Sequence, residues 1–120
     1  MGSRARNFAD MFSCGRKAYR AKESRTATSY TPVLTDTGTI LTINNSSPIT
    51  VTIPPNSSVG FEIGAKIDIV QTGTGQVTVQ GGSGVTVNST PSLSLRTQYS
   101  AASCIKTDTD IWVLVGDLQV

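Results

Sequence analysis

Few residues in this chain have the types and spacing to do chemistry. Histidine is absent, which removes the commonest general base and the commonest metal ligand together. The two cysteines, Cys14 and Cys104, are too few for a disulfide framework or a zinc site. Cys14 precedes Gly15-Arg16-Lys17, whose cations would favour a thiolate, but no base accompanies it. Cys104 sits in an apolar strand pattern and reads as a small core residue. Asp108-Thr109-Asp110 offers two carboxylates to a hard cation; without further acidic neighbours the set is incomplete and reads as a turn. Lys66 and Asp68 share one strand face and suggest a solvated edge rather than an acid–base pair. The glycine clusters TGTG (Thr72–Gly75) and GGSG (Gly81–Gly84) are each followed by an alternating strand instead of a helix. A phosphate cradle needs that helix N-terminus, so both read as hairpin turns in which glycine supplies positive φ. Asn44, Asn45, Asn56 and Asn88 open N-x-[ST] matches of the kind that a Ser/Thr-rich chain produces by chance. No catalytic, cofactor or metal site is expected, and no enzymatic activity.

The elements that carry these residues are strands. The chain has 120 residues, enough for one ordinary domain. Only 15% of them are charged, against a usual share of about a quarter. Serine (14), threonine (17) and glycine (11) fill the gap, a mix that disfavours helices and favours strands joined by polar turns. Period-two alternation marks strands at Thr39–Asn44, Ile49–Ile53, Ala65–Gln71, Gln76–Gln80, Gly84–Asn88, Ser92–Leu95, Ala102–Thr107 and Ile111–Gly116. Turn signals rich in Gly, Pro, Asn, Asp and Ser separate them. This predicts an all-β fold, an antiparallel β-sandwich of jelly-roll type. In the last strand, Ile111, Val113 and Val115 alternate with Trp112 and Leu114, so both faces are apolar. Such a strand is central, or has its second face covered by another subunit. Trp112 itself reads as core.

A net charge of +2 conceals an asymmetry. Residues 1–29 carry seven basic and two acidic side chains, a charge of +5, and residues 30–120 carry three and six, a charge of −3. The division predicts a basic N-terminal docking arm at 1–29 and a sandwich body at 30–120. In the arm, Phe8, Met11, Phe12, Ala18 and Tyr19 fall roughly on one helical face, interrupted by Gly15. A short helix or turn is expected there, followed by an extended lead into the body. The residues expected to dock are Arg4, Arg6, Phe8, Met11, Phe12, Arg16, Lys17, Tyr19 and Arg20. No run is long and apolar enough for a membrane span. A nucleic-acid partner is disfavoured, because the acidic body adds neither an aromatic platform nor a second basic patch.

The strings VTIPPNSSVGFEIGAKIDIVQTGTGQVTVQGG (Val51–Gly82), SGVTVNS (Ser83–Ser89) and DIWVLVGDL (Asp110–Leu118) carry a resemblance. With them, Tyr30–Val120 resembles a β-sandwich module of tailed-bacteriophage virion proteins, found in fibres, spikes and capsid-decorating proteins. The resemblance implies a homotrimer with a structural or adhesive role and supplies no catalytic residues; the arm has no counterpart in it. The expected function is that of a structural virion protein on the capsid surface. It would be a capsid decoration (cement) protein whose arm docks across neighbouring major capsid protein subunits of the viral particle and stabilises the shell. The alternative is a short head or tail fibre module for host-receptor (glycan) recognition through loops such as Gln80–Gly84 or Asn88–Pro91. An internal DNA-binding virion protein is a third reading, carried by the arm alone.

Overall fold

The computed structural model describes residues 22–120. They form nine strands: β1 (Lys22–Arg25), β2 (Ser29–Tyr30), β3 (Ile40–Ile43), β4 (Ile49–Ile53), β5 (Lys66–Gln71), β6 (Val77–Gly81), β7 (Thr86–Ser89), β8 (Ala101–Asp108) and β9 (Ile111–Gly116). A single 3₁₀ turn, Leu34–Asp36, is the only helical element among the described residues. Alternation drives each strand: in β4 the pattern buries Ile49, Val51 and Ile53 and leaves Thr50 and Thr52 half-buried. The Ser92–Leu95 segment expected as a strand is reduced to two isolated bridges, Thr78 to Ser94 and Leu95 to Leu118.

The strands build a six-stranded sheet in the order β1-β3-β5-β8-β9-β7 and a three-stranded sheet in the order β2-β4-β6. The chain is all-β, as expected, but the pairing is not that of an antiparallel jelly-roll sandwich. β1, β3 and β5 pair in parallel, Lys22 beside Ile40 and Ile40 beside Asp68. β2, β4 and β6 do the same, Ser29 beside Thr50 and Thr50 beside Thr78. Each of β1, β3 and β5 is followed by a corner into the second sheet, so through this part the chain returns to the first sheet only after a full coil. Successive coils therefore run in the same direction and stack. Among the described residues, the only antiparallel neighbours within the sheets are β5 with β8 and β8 with β9. That β8–β9 hairpin inserts between β5 and β7, the strand that follows the third coil, and β7 pairs in parallel with β9.

The corners correct the reading of the glycine clusters. Thr72–Gly75 joins β5 to β6 and Gly81–Gly84 joins β6 to β7, so both link the two sheets and neither is a hairpin. Gly84 does adopt a positive φ of 79°. Gly73 and Gly75 are required for a different reason: an added Cβ would lie 2.5 Å from the Asn45 backbone nitrogen and 1.9 Å from the Ser47 carbonyl oxygen. Neighbouring corners thus stack backbone on backbone. Buried Gln71 serves the same corner, donating from Nε2 to the Gly73 carbonyl (3.3 Å) and accepting from the Val77 N–H (3.0 Å).

The core lies between the sheets. Leu41, Ile67 and Ile69 face Val51, Val77 and Val79 within one buried apolar cluster. Trp112, buried as expected, meets Phe61 edge to face at 5.3 Å between ring centres. β9 is internal to its sheet, and its second face, with Val115 47% exposed, is not covered by any of the described elements. Among the described residues the sheet already includes Lys22, ahead of the charge boundary at residue 29, so residues 22–29 belong to the body. Charge composition reports which groups meet water, whereas membership of a sheet depends on backbone pairing, so the two boundaries differ. The extended lead anticipated for this segment is a pair of sheet strands.

Candidate functional site

All nine residues expected to dock, Arg4, Arg6, Phe8, Met11, Phe12, Arg16, Lys17, Tyr19 and Arg20, lie outside the described residues, as does Cys14. What the structure defines is the body to which that segment is joined, and the point of junction is built with care. β1 holds a four-residue parallel register with β3. Arg25, its last residue, donates to the Tyr30 hydroxyl at 3.1 Å and its guanidinium lies 3.5 Å from Asp36. The Tyr30 hydroxyl donates to Asp36 Oδ2 at 2.5 Å, and the Val33 N–H donates to the same oxygen at 2.9 Å. Asp36 is 1% exposed. Its carboxylate is a buried anion whose partners come from β1, β2 and the 3₁₀ turn, and it ties the first coil together. Burial, followed by the bond to Asp36, raises the Tyr30 phenol pKa above its ordinary value. The bond to Tyr30 is the largest influence raising that of Arg25. Sequence reasoning missed this clasp, because Arg25 and Tyr30 fall on either side of the charge boundary and Asp36 lies ahead of the first predicted strand.

A second buried polar centre was also missed. Lys106 is 2% exposed and shares the inner face of β8 with Ala102 and Cys104. Its ammonium donates to Asn56 Oδ1 and to the Phe61 carbonyl, both at 2.7 Å. The Asn56 N–H in turn donates to Asp110 Oδ1 at 2.8 Å. These bonds fasten the long 54–65 connection across the end of the core. Asp110 thus has a structural role, and Asp108 accepts from the Thr109 N–H within its own turn. Among the described residues no group of three His, Cys, Asp or Glu side chains could hold a metal ion.

The remaining sequence candidates resolve as follows. Cys104 is a buried core thiol, its pKa pushed up to about 12 by burial and, secondarily, by the charge of Asp68. Lys66 and Asp68 share the outer face of β5 at 3.9 Å, but β5 is internal to the sheet, so the solvated edge was a solvated face. Arg96 and Asp117 form an exposed two-pronged ion pair at 2.8 and 2.9 Å. Of the loops considered for glycan contact, Gln80–Gly84 and Asn88–Pro91 carry no aromatic side chain. The exposed ring is elsewhere: Tyr99, 74% exposed, in the connection leading into β8.

No helix of the described residues is long and apolar enough to cross a membrane. Comparison with protein-family models and with curated proteins finds no match for this chain.

Proposed function

We propose that this chain is a capsid decoration (cement) protein: a structural virion protein in which a homotrimer of stacked-coil bodies stands on the shell. The basic segment ahead of Lys22 fastens each body across neighbouring major capsid subunits. In this reading the body is a short β-solenoid, closed at one end by the β8–β9 hairpin.

The observation that carries the reading is the division of labour between cations. Within the body, Arg25 is engaged by Asp36, Lys66 by Asp68, Arg96 by Asp117, and Lys106 is buried against Asn56 and Phe61, while Lys22, exposed at the start of β1, adjoins the basic segment. Residues 1–21 carry Arg4, Arg6, Arg16, Lys17 and Arg20 against the single acid Asp10. Positive charge for an outside partner is therefore concentrated immediately ahead of β1. β1 is well suited to hold a tethered segment: its hydrogen bonds to β3 share a pull along the strand, and the Asp36 clasp secures its far end. Three such segments per trimer would add modest contacts through effective concentration, which suits a clamp on a shell under internal pressure.

Deleting residues 1–21 tests this reading. The shortened chain should keep the fluorescence of buried Trp112 and lose the ability to coat shells. Retained saturation of shells by the shortened chain would overturn the docking role. The copy number per particle separates the alternatives: a ratio comparable to the major capsid protein fits decoration, whereas a few copies per particle would indicate a fibre part.

A further inference from the structure

Two features on the outside of the body fit one another. On the outer face of the six-stranded sheet, Ile40, Val70, Ala101 and Val115 wall an open groove of about 440 Å³. Its polar part is the Lys66–Asp68 ion pair together with Ser103, whose hydroxyl donates to Asp68 Oδ1 at 2.5 Å. A serine oxygen that donates in this way keeps lone pairs with which to accept from an incoming hydroxyl. Aliphatic side chains on the solvent side of a sheet are out of place, since alternation ordinarily puts polar residues there.

The second feature is Tyr99. It is the most exposed of the four aromatic side chains among the described residues. It also has a φ of 72°, a left-handed conformation that side chains bearing a Cβ rarely adopt. The backbone holds it there: the Tyr99 N–H donates to the Gln71 carbonyl at 2.6 Å, beside groove residue Val70 and two residues ahead of groove residue Ala101. A large ring presented to water from a constrained backbone is pre-organised as a binding anchor.

We propose that Tyr99 of one copy enters the groove of a second copy, with the ring against Ile40, Val70 and Val115 and the phenol directed to Ser103. This assignment rests on the reading of the chain as a homotrimer and names the surface that assembles it. The match is chemical: tyrosine has an apolar body and a polar tip, and the groove has aliphatic walls and a hydroxyl acceptor. Ring and groove are different residues of one chain, so the contact can repeat head to tail around a three-fold axis, the arrangement a homotrimer requires. A buried tyrosine contributes roughly 150–250 Å², against about 800 Å² per partner for a standard interface. The same face supplies more surface, where Ile105, Val113 and Ile111 extend the aliphatic area.

Light scattering coupled to size exclusion, run on the full chain over a dilution series, tests the assignment. Tyr99→Asn is the principal variant, because asparagine tolerates the left-handed backbone; Val115→Lys places a charge at the groove wall. Both should weaken assembly by at least about 30-fold in dissociation constant, as expected for loss of an interface anchor. Their Trp112 fluorescence should remain that of the folded chain. Tyr99→Phe, which keeps the ring, should lose only a few-fold. A wild-type trimer that persists in both disruptive variants would overturn the surface assignment and leave the trimer reading intact. A wild-type dimer dispersed by both variants would support the surface and overturn the trimer. A wild-type monomer at every concentration would overturn both.

Discussion

Substituting Asp36 by alanine should show how firmly the first coil is held. Three donors converge on this carboxylate: the Tyr30 hydroxyl, the Val33 N–H and the Arg25 guanidinium. Removing one member of a buried charged pair costs about 3–5 kcal/mol when the other is left stranded. Here the Arg25 side chain is 27% exposed and can turn toward water, which lowers the cost. The Tyr30 hydroxyl and Val33 N–H still lose bonds to a charged acceptor worth about 1.5–3 kcal/mol each, partly replaced by water. A net loss of about 3 kcal/mol follows, or roughly 12–24 °C in Tm for a domain of this size. Tyr30→Phe removes one bond and should cost about 1 kcal/mol. Equilibrium unfolding in urea, followed by Trp112 fluorescence, measures both. Hydrogen exchange supplies the spatial check, since the amides that pair β1 with β3 should lose protection before those of β5 and β8. A change below about 0.5 kcal/mol for Asp36→Ala, the range of an ordinary surface substitution, would refute the clasp. It would also remove the argument that β1 anchors the basic segment.

Two further predictions concern the corners and the core. Gly75→Ala should destabilise by at least the 1–3 kcal/mol or so typical of overpacking, because its Cβ would meet the Ser47 carbonyl oxygen, a backbone group with little room to move; thermal melting reads this directly. Cys104 predicts a specific alkaline sensitivity. An ordinary thiol ionises near about 8.5, whereas the folded chain holds the Cys104 proton up to about pH 12. The stabilising difference is therefore fully present below the unfolded pKa and is lost as pH rises through the folded one. In the Cys104→Ala variant the denaturant midpoint should fall less steeply over that interval than in the wild type, and identical slopes would count against the buried-thiol account.

The strand inventory was largely legible. Ile49–Ile53 and Ile111–Gly116 are found at the bounds the alternation predicted, and five others differ from it by no more than two residues at either end. Ser92–Leu95 failed because a four-residue alternation is too short to compete for a full ladder, and only its bridges to β6 and Leu118 survive. β1 and β2 were missed as strands because KESR and SY carry no apolar alternation. They are held by the neighbouring coil and by Asp36. The nine predicted docking residues lie outside the described residues, so the candidate surface that emerges, Tyr99 with the outer-face groove, owes more to burial than to motif.

In strands with one apolar face, such as Ile49–Ile53, the sequence by itself determined which residues point inward, since period two is a local property of an extended chain. It also determined the separation of a basic segment from a mildly acidic body. Strand partners were a matter for the tertiary structure, because the same alternation serves parallel and antiparallel neighbours equally well. The corners, which send the chain into the opposite sheet, made the coils stack in parallel. The buried polar groups were settled at the same level. Lys106 and Asp36 are isolated charges in the sequence and satisfied ones in the fold, because acceptors such as Phe61 and donors such as Arg25 reach them only after the chain has closed.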